Sequence, residues 1–157
     1  MQFTIVGAGA LGTIAGAHLI AAGHEVTMIA RGQRAAAIAQ DGLIVRGLNC
    51  LSTPCRVVAP EACARQPGVL VFAVKTYHMR DAIAGLNGCR PEAVFSLANG
   101  VMKGEQLASA FGAGSVLGCM ANFSGELLAD GTAEFTRNVR VSIGAMSGYA
   151  GVPPFHE

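Results

Sequence analysis

The sequence predicts a doubly wound α/β domain with a mostly parallel sheet and a β-rich C-terminal extension. Three observations carry that prediction. Short apolar β-favouring runs alternate with Ala-rich or amphipathic helix-compatible runs as far as Gly112. A glycine-rich turn, GAGALG at residues 7–12, joins the first strand-like run to the first helix. From Ser115 onward, strand-like segments follow one another without helices.

The elements follow in order. Phe3 to Val6 is an apolar strand, and Leu11 to Ala22 is a helix that Gly23 stops. Val26 to Ile29 is a second strand, and RGQRAAAIAQDG is a loop and a short helix ending at Gly42, which completes a βαβ unit. LIVRG and CRVVA are strand-like on either side of the polar LNCLSTP, which predicts a hairpin-like excursion after the second helix. GVLVFAV is the most apolar stretch and reads as a central parallel strand buried on both faces. VFSLANG is a further strand ending in Asn-Gly, and KGEQLASAFG is a helix closed by Gly112. SVLGCMA and GTAEFTRNVRVSIG form the β-rich extension, with antiparallel pairing. The domain is expected to span residues 1–150, with 151–157 as the start of an interdomain connection or tail.

At 157 residues the chain fits one domain with one core, and 52% hydrophobic against 13% charged residues is the composition of an ordered protein. The 11 basic and 10 acidic residues give a formal charge of +1 without a basic run, so neither a nucleic acid nor an anionic membrane is an expected partner. MQFTIVGAGALG lacks a basic segment and a cleavage site, and no apolar run reaches membrane-spanning length, which makes the cytoplasm the expected location. The five cysteines contain no C-x-x-C pair, so no metal site is expected.

In open α/β sheets ligands bind beyond the carboxyl ends of the strands, so the residues just after each strand carry the chemistry. The turn Gly7, Ala8, Gly9, Ala10, Leu11 and Gly12 has the G-x-G-x-x-G spacing of a dinucleotide site of the Rossmann type. The first glycine allows the tight turn, the second admits a pyrophosphate, and the third lets the helix pack closely on the strand. The helix N-terminus then offers unpaired amides and a favourable dipole to that anion. Where an NAD site usually carries an acid, at the end of the second strand, this chain has Ala30 and Arg31, with Gln33 and Arg34 close behind. A guanidinium binds a 2′-phosphate that a carboxylate would repel, so the expected cofactor is NADP(H). Lys75 and Asn99 follow the next two strands and are the candidate residues beside the nicotinamide. His78 flanks them without an assigned role.

IVGAGALG, ARG, DGLIVRG, VFAVKTYH, LANGV with EQLASAFG, and GELLADGTAEFTRNVRVSIG together resemble the ketopantoate reductase family, the NADPH-dependent 2-dehydropantoate 2-reductases, over nearly the whole chain. The resemblance implies hydride delivery from NADPH to the keto carbon of a small 2-oxo acid. It matches Gly7, Gly9 and Gly12 to the phosphate turn, Arg31 to the 2′-phosphate contact, and Lys75 and Asn99 to the lysine and asparagine near nicotinamide and substrate. Met102 stands where the family commonly has a glycine. The resemblance also implies a helical C-terminal domain, absent from this chain, that supplies the general-acid lysine. A homo-oligomer is a candidate assembly. The alternatives are a stand-alone NADP(H)-binding or sensing module without turnover, and a domain of another dehydrogenase family acting on larger substrates such as opines.

Overall fold

A computed structural model describes residues 1–86 and 88–146. The expected boundary at 150/151 lies outside the described residues.

Five parallel strands form the first sheet: β1 (Gln2–Val6), β2 (Glu25–Ile29), β5 (Arg56–Val58), β6 (Val69–Phe72) and β7 (Ala93–Ser96), in the order β5-β2-β1-β6-β7. Their side chains alternate between two cores, as the period of a strand requires. Ile5, Met28, Val71 and Phe95 point to one face, where they meet α1 (Ala10–Ala21) and Ile38 of α2 (Gly32–Asp41). Val6, Ile29, Phe72 and Val94 point to the other, against α3 (Met79–Ala84) and α4 (Lys103–Phe111). Helices on both faces make the sheet doubly wound. β6 is buried along its whole length, which explains its unbroken apolar run.

The C-terminal extension is a long antiparallel pair, β8 (Leu117–Leu127) and β9 (Ala133–Ala145), as expected. It belongs to a second sheet of order β4-β3-β9-β8, with β3 (Leu43–Gly47) parallel to β9 and antiparallel to β4 (Leu51–Thr53). This sheet lies over α1 and completes that core with Leu43, Val45, Ala133 and Phe135.

The hairpin-like excursion needs a correction. LIVRG pairs with Leu51–Thr53, inside the segment that the sequence assigned to the connection, whereas CRVVA supplies β5 and joins the first sheet beside β2. Pro54 has no amide to donate, so it ends the ladder, and the two residues Pro54 and Cys55 carry the chain from one sheet to the next. Val57 and Val58 then pack into opposite cores.

Candidate dinucleotide-binding site

The three motif glycines have different reasons to be glycine. Gly7 has φ +107°, and a Cβ there would lie 2.7 Å from Val74 Cγ1, because the chain leaving β6 crosses close to the turn. A Cβ on Gly12 would collide with the Gly7 carbonyl oxygen. Gly9 differs: a Cβ would meet nothing within 4 Å. The fold therefore needs Gly7 and Gly12, while glycine at 9 keeps open the space over the start of α1.

That helix start suits an anion. Gly9 is the N-cap, no side chain caps the end, and no acid lies in the first turn. Thr13 is the first amide to bond within the helix, donating to Gly9 O at 2.9 Å, so Ala10, Leu11 and Gly12 have amides without intrahelical partners. Open space beside unpaired donors at a positive dipole end fits a pyrophosphate.

The turn borders a cleft of ≈ 380 Å³ lined by Gly7, Ala8, Ala30, Arg31, Pro60 and Val74 among others. Arg31 follows β2 at the rim, where its Nη2 donates to Glu61 Oε1 at 3.0 Å with both side chains largely exposed. The hydrogen bond from its own amide, and then the Arg31 guanidinium, hold the Glu61 carboxyl below the usual range against some desolvation.

Arg34 is used differently from its neighbour. Its Nε donates to Ala8 O at 2.8 Å, its Nη2 to Thr13 Oγ1 at 2.8 Å and its Nη1 to Gly131 O at 2.9 Å. One half-buried guanidinium thus ties the glycine turn to α1 and to the connection between β8 and β9. Burial lowers its pKa from the ordinary value. Arg34, which the sequence places close behind Arg31, also lines the cleft, and its donors hold the turn.

Lys75 and Asn99 come from the loops after β6 and β7, both are exposed, and the two loops meet: Thr76 Oγ1 donates to Asn99 O. Gly100, at φ +140°, is where a Cβ would press on Thr76 Cγ2 at 3.2 Å. Among the described residues no hydrogen bond engages Lys75 Nζ or the Asn99 side chain. Neither residue lines the ≈ 380 Å³ cleft, whereas His78 and Asp81 do.

Lys103, which the sequence did not single out, fixes the Asn99 loop. Its Nζ donates to Ser96 O at 3.1 Å, Ala98 O at 2.8 Å and Cys119 O at 2.7 Å, joining the end of β7 to β8. All three acceptors are backbone carbonyls, which leave no residue-type signal to read.

The cysteines hold no evident chemistry. Cys89 Sγ lies 3.4 Å from Cys63 Sγ, and burial, followed by the Cys89 hydrogen bond and charge, pushes the Cys63 thiol up to about 12, so it stays protonated at neutral pH. Among the described residues no three His, Cys, Asp or Glu side chains gather as metal ligands, and no helix is long and apolar enough to cross a membrane.

Comparison with known proteins identifies the family and the fold. A 2-dehydropantoate 2-reductase of Pyrococcus horikoshii is 32% identical over 108 residues, 68% of this chain and 36% of that protein. The crystal structure of 2-dehydropantoate 2-reductase from Geobacter metallireducens GS-15 aligns with a TM-score of 0.79 at 27% identity, over 92% of this chain and 49% of that one. D-mandelate dehydrogenase, in its ternary structure with NADH and anilino(oxo)acetate, gives 0.82 over 94% of this chain and 50% of that one, but at 18% identity the likeness concerns the fold. The chain spans 36 to 40% of the length of the curated relatives it matches. The family model for ketopantoate reductase PanE/ApbA matches residues 3–148, and this chain belongs to that family.

Proposed function

We propose that this chain is the NADP(H)-binding part of an oxidoreductase that reduces a small 2-oxo acid, with 2-dehydropantoate, reduced to pantoate on the way to pantothenate and coenzyme A, as the substrate. The observation that carries this reading is the open space at Gly9 above the uncapped start of α1, in a cleft whose rim bears Arg31. Family membership supplies the reaction class.

In this reading the amides of residues 10–12 hold the pyrophosphate and Arg31 holds the 2′-phosphate. NADPH supplies the hydride. Lys75 and Asn99, side by side on loops tied by Thr76, sit near the nicotinamide and the keto acid. Reduction of a ketone builds negative charge on oxygen, which a cationic Lys75 beside it would stabilise. The proton itself is expected from a lysine of the further, helical domain that the family resemblance implies, as a positioned acid typically contributes 10²–10⁴-fold. The cytoplasm is the compartment proposed for this chemistry.

A binding or sensing module without turnover is the second reading, favoured by the exposure of Lys75 and Asn99. Two measurements on residues 1–157 test these readings: the first tests the cofactor that both share, and the second separates them. Titration should show tighter binding of NADPH than NADH in the wild type, and Arg31→Ala should weaken NADPH about ten- to a hundredfold, the worth of one charge-assisted hydrogen bond. Steady-state NADPH oxidation with 2-dehydropantoate should be slow or undetectable for this chain alone and restored when the helical domain is added. Turnover near about 10 s⁻¹ by this chain alone would place the proton donor within it, and Lys75→Ala would be the first variant to make. Equal affinity for the two cofactors in the wild type would end the NADP assignment.

A further inference from the structure

The end of β2 lacks the acid of an NAD site, yet an acid reaches the same place from elsewhere. β5 runs parallel to β2 with Ile29 opposite Val58, and Ala30 donates its amide to Val58 O at 3.2 Å. The two strands therefore end together. The 3-10 turn that follows β5, Pro60–Ala62, puts Pro60 in the lining of the cleft and Glu61 Oε1 3.0 Å from Arg31 Nη2. Behind the guanidinium lies the end of α3, where a Cβ on Gly85 would stand 3.5 Å from the same Nη2. Arg31 is thus held at the rim by Glu61, and glycine at 85 leaves room beside its guanidinium.

We propose that Glu61 is a specificity-determining residue, a carboxylate set against Arg31 so that the cleft accepts the ribose of NADH as well as the 2′-phosphate of NADPH. This rests on the reading of the cleft as a dinucleotide site. A carboxylate beside a free ribose 2′-hydroxyl accepts its hydrogen bond, the usual task of the acid at the end of the second strand. Beside a 2′-phosphate of roughly −1.5 to −2 charge the same carboxylate repels the ligand and competes for the guanidinium. NADPH must draw Arg31 from Glu61; NADH leaves the ion pair in place and uses its acid. Both side chains are exposed, 66% for Arg31 and 70% for Glu61, so water screens the effect to a few-fold and not to several decades.

The test is titration of NADPH and NADH into wild type, Glu61→Gln and Glu61→Asp at low and moderate salt, with the thermal midpoint as a check on folding. Glu61→Gln should tighten NADPH and weaken NADH each by about twofold to fivefold, the scale of one screened charge contact. Glu61→Asp, which keeps the charge on a shorter arm, should fall between Gln and wild type, and salt should narrow the difference. If wild type binds both cofactors and their Kd ratio is the same in all three proteins, Glu61 forms only a surface ion pair and the proposal is overturned, while the dinucleotide site stands. If wild type binds neither, the site reading fails and takes this one with it.

Discussion

The two ends of the candidate site are built on opposite plans. At the glycine turn, side chains are spent on structure: Gly7 and Gly12 fit where nothing larger does, and Arg34 places all three of its donor nitrogens on the turn, on α1 and on the β8–β9 connection. At the Lys75–Asn99 end, backbone carbonyls are held by Thr76 and Lys103 while the side chains of the two candidate residues are exposed. A turn fixed before ligand arrives loses little entropy on binding, which favours affinity. Free side chains on fixed loops suit groups whose partners come with the substrate or with another domain. Binding should therefore depend on the first end and turnover on the second.

The largest test of that division sets two glycines of one motif against each other. Gly12→Val should prevent stable folding, because the added carbons run into the Gly7 carbonyl oxygen. Gly9→Val should leave the circular dichroism spectrum and thermal midpoint near wild type and reduce NADPH affinity by more than about a hundredfold, the loss of several hydrogen bonds to a charged group. Normal cofactor affinity in Gly9→Val would mean that the turn serves the fold alone.

Next comes Arg34→Met, which keeps much of the stem and removes three charge-assisted bonds. We expect a stability loss of about 2–4 kcal/mol, discounted for the half-buried position, and weaker binding of NADPH and NADH by similar factors. A selective loss of NADPH would show that Arg34, not only Arg31, reads the phosphate. Lys103→Met should cost about 1–3 kcal/mol by removing three charge-assisted hydrogen bonds to backbone carbonyls, with cofactor affinity retained and any residual turnover reduced. Unchanged turnover would separate the Asn99 loop from the chemistry. The smallest effect belongs to Thr76→Val, about 1 kcal/mol or less, seen as faster hydrogen exchange in the Lys75 and Asn99 loops and absent from the glycine turn.

Much of this was legible in the sequence, for reasons that differ by residue. The glycine turn writes its backbone demands into residue type at Gly7 and Gly12, and β6 writes burial on two faces into an unbroken apolar run. Arg31 is placed by counting from β2. Arg34 could not be understood that way, because what decides its role is Gly131, 97 residues further on. The assignment of CRVVA to a hairpin failed since two short strands near each other in sequence do not reveal that Pro54 sends them to different sheets. β3 pairing with β9 is likewise a long-range fact that no local pattern records.

The contact between Arg34 and Gly131 also bears on how the chain acquires its binding site. Ordering a loop of that length costs entropy before any contact repays it, and parallel pairing of β3 with β9 carries the same cost. A fragment ending at Gly112 would contain every strand of the parallel sheet and the whole glycine motif, yet not the carbonyl that completes the Arg34 clamp. On the ribosome, the turn would emerge early and gain its third anchor only after the β8–β9 connection had been made. A dinucleotide that binds the clamped turn would then draw the chain toward the fully assembled state by mass action, so that cofactor supply during synthesis becomes a determinant of folding yield.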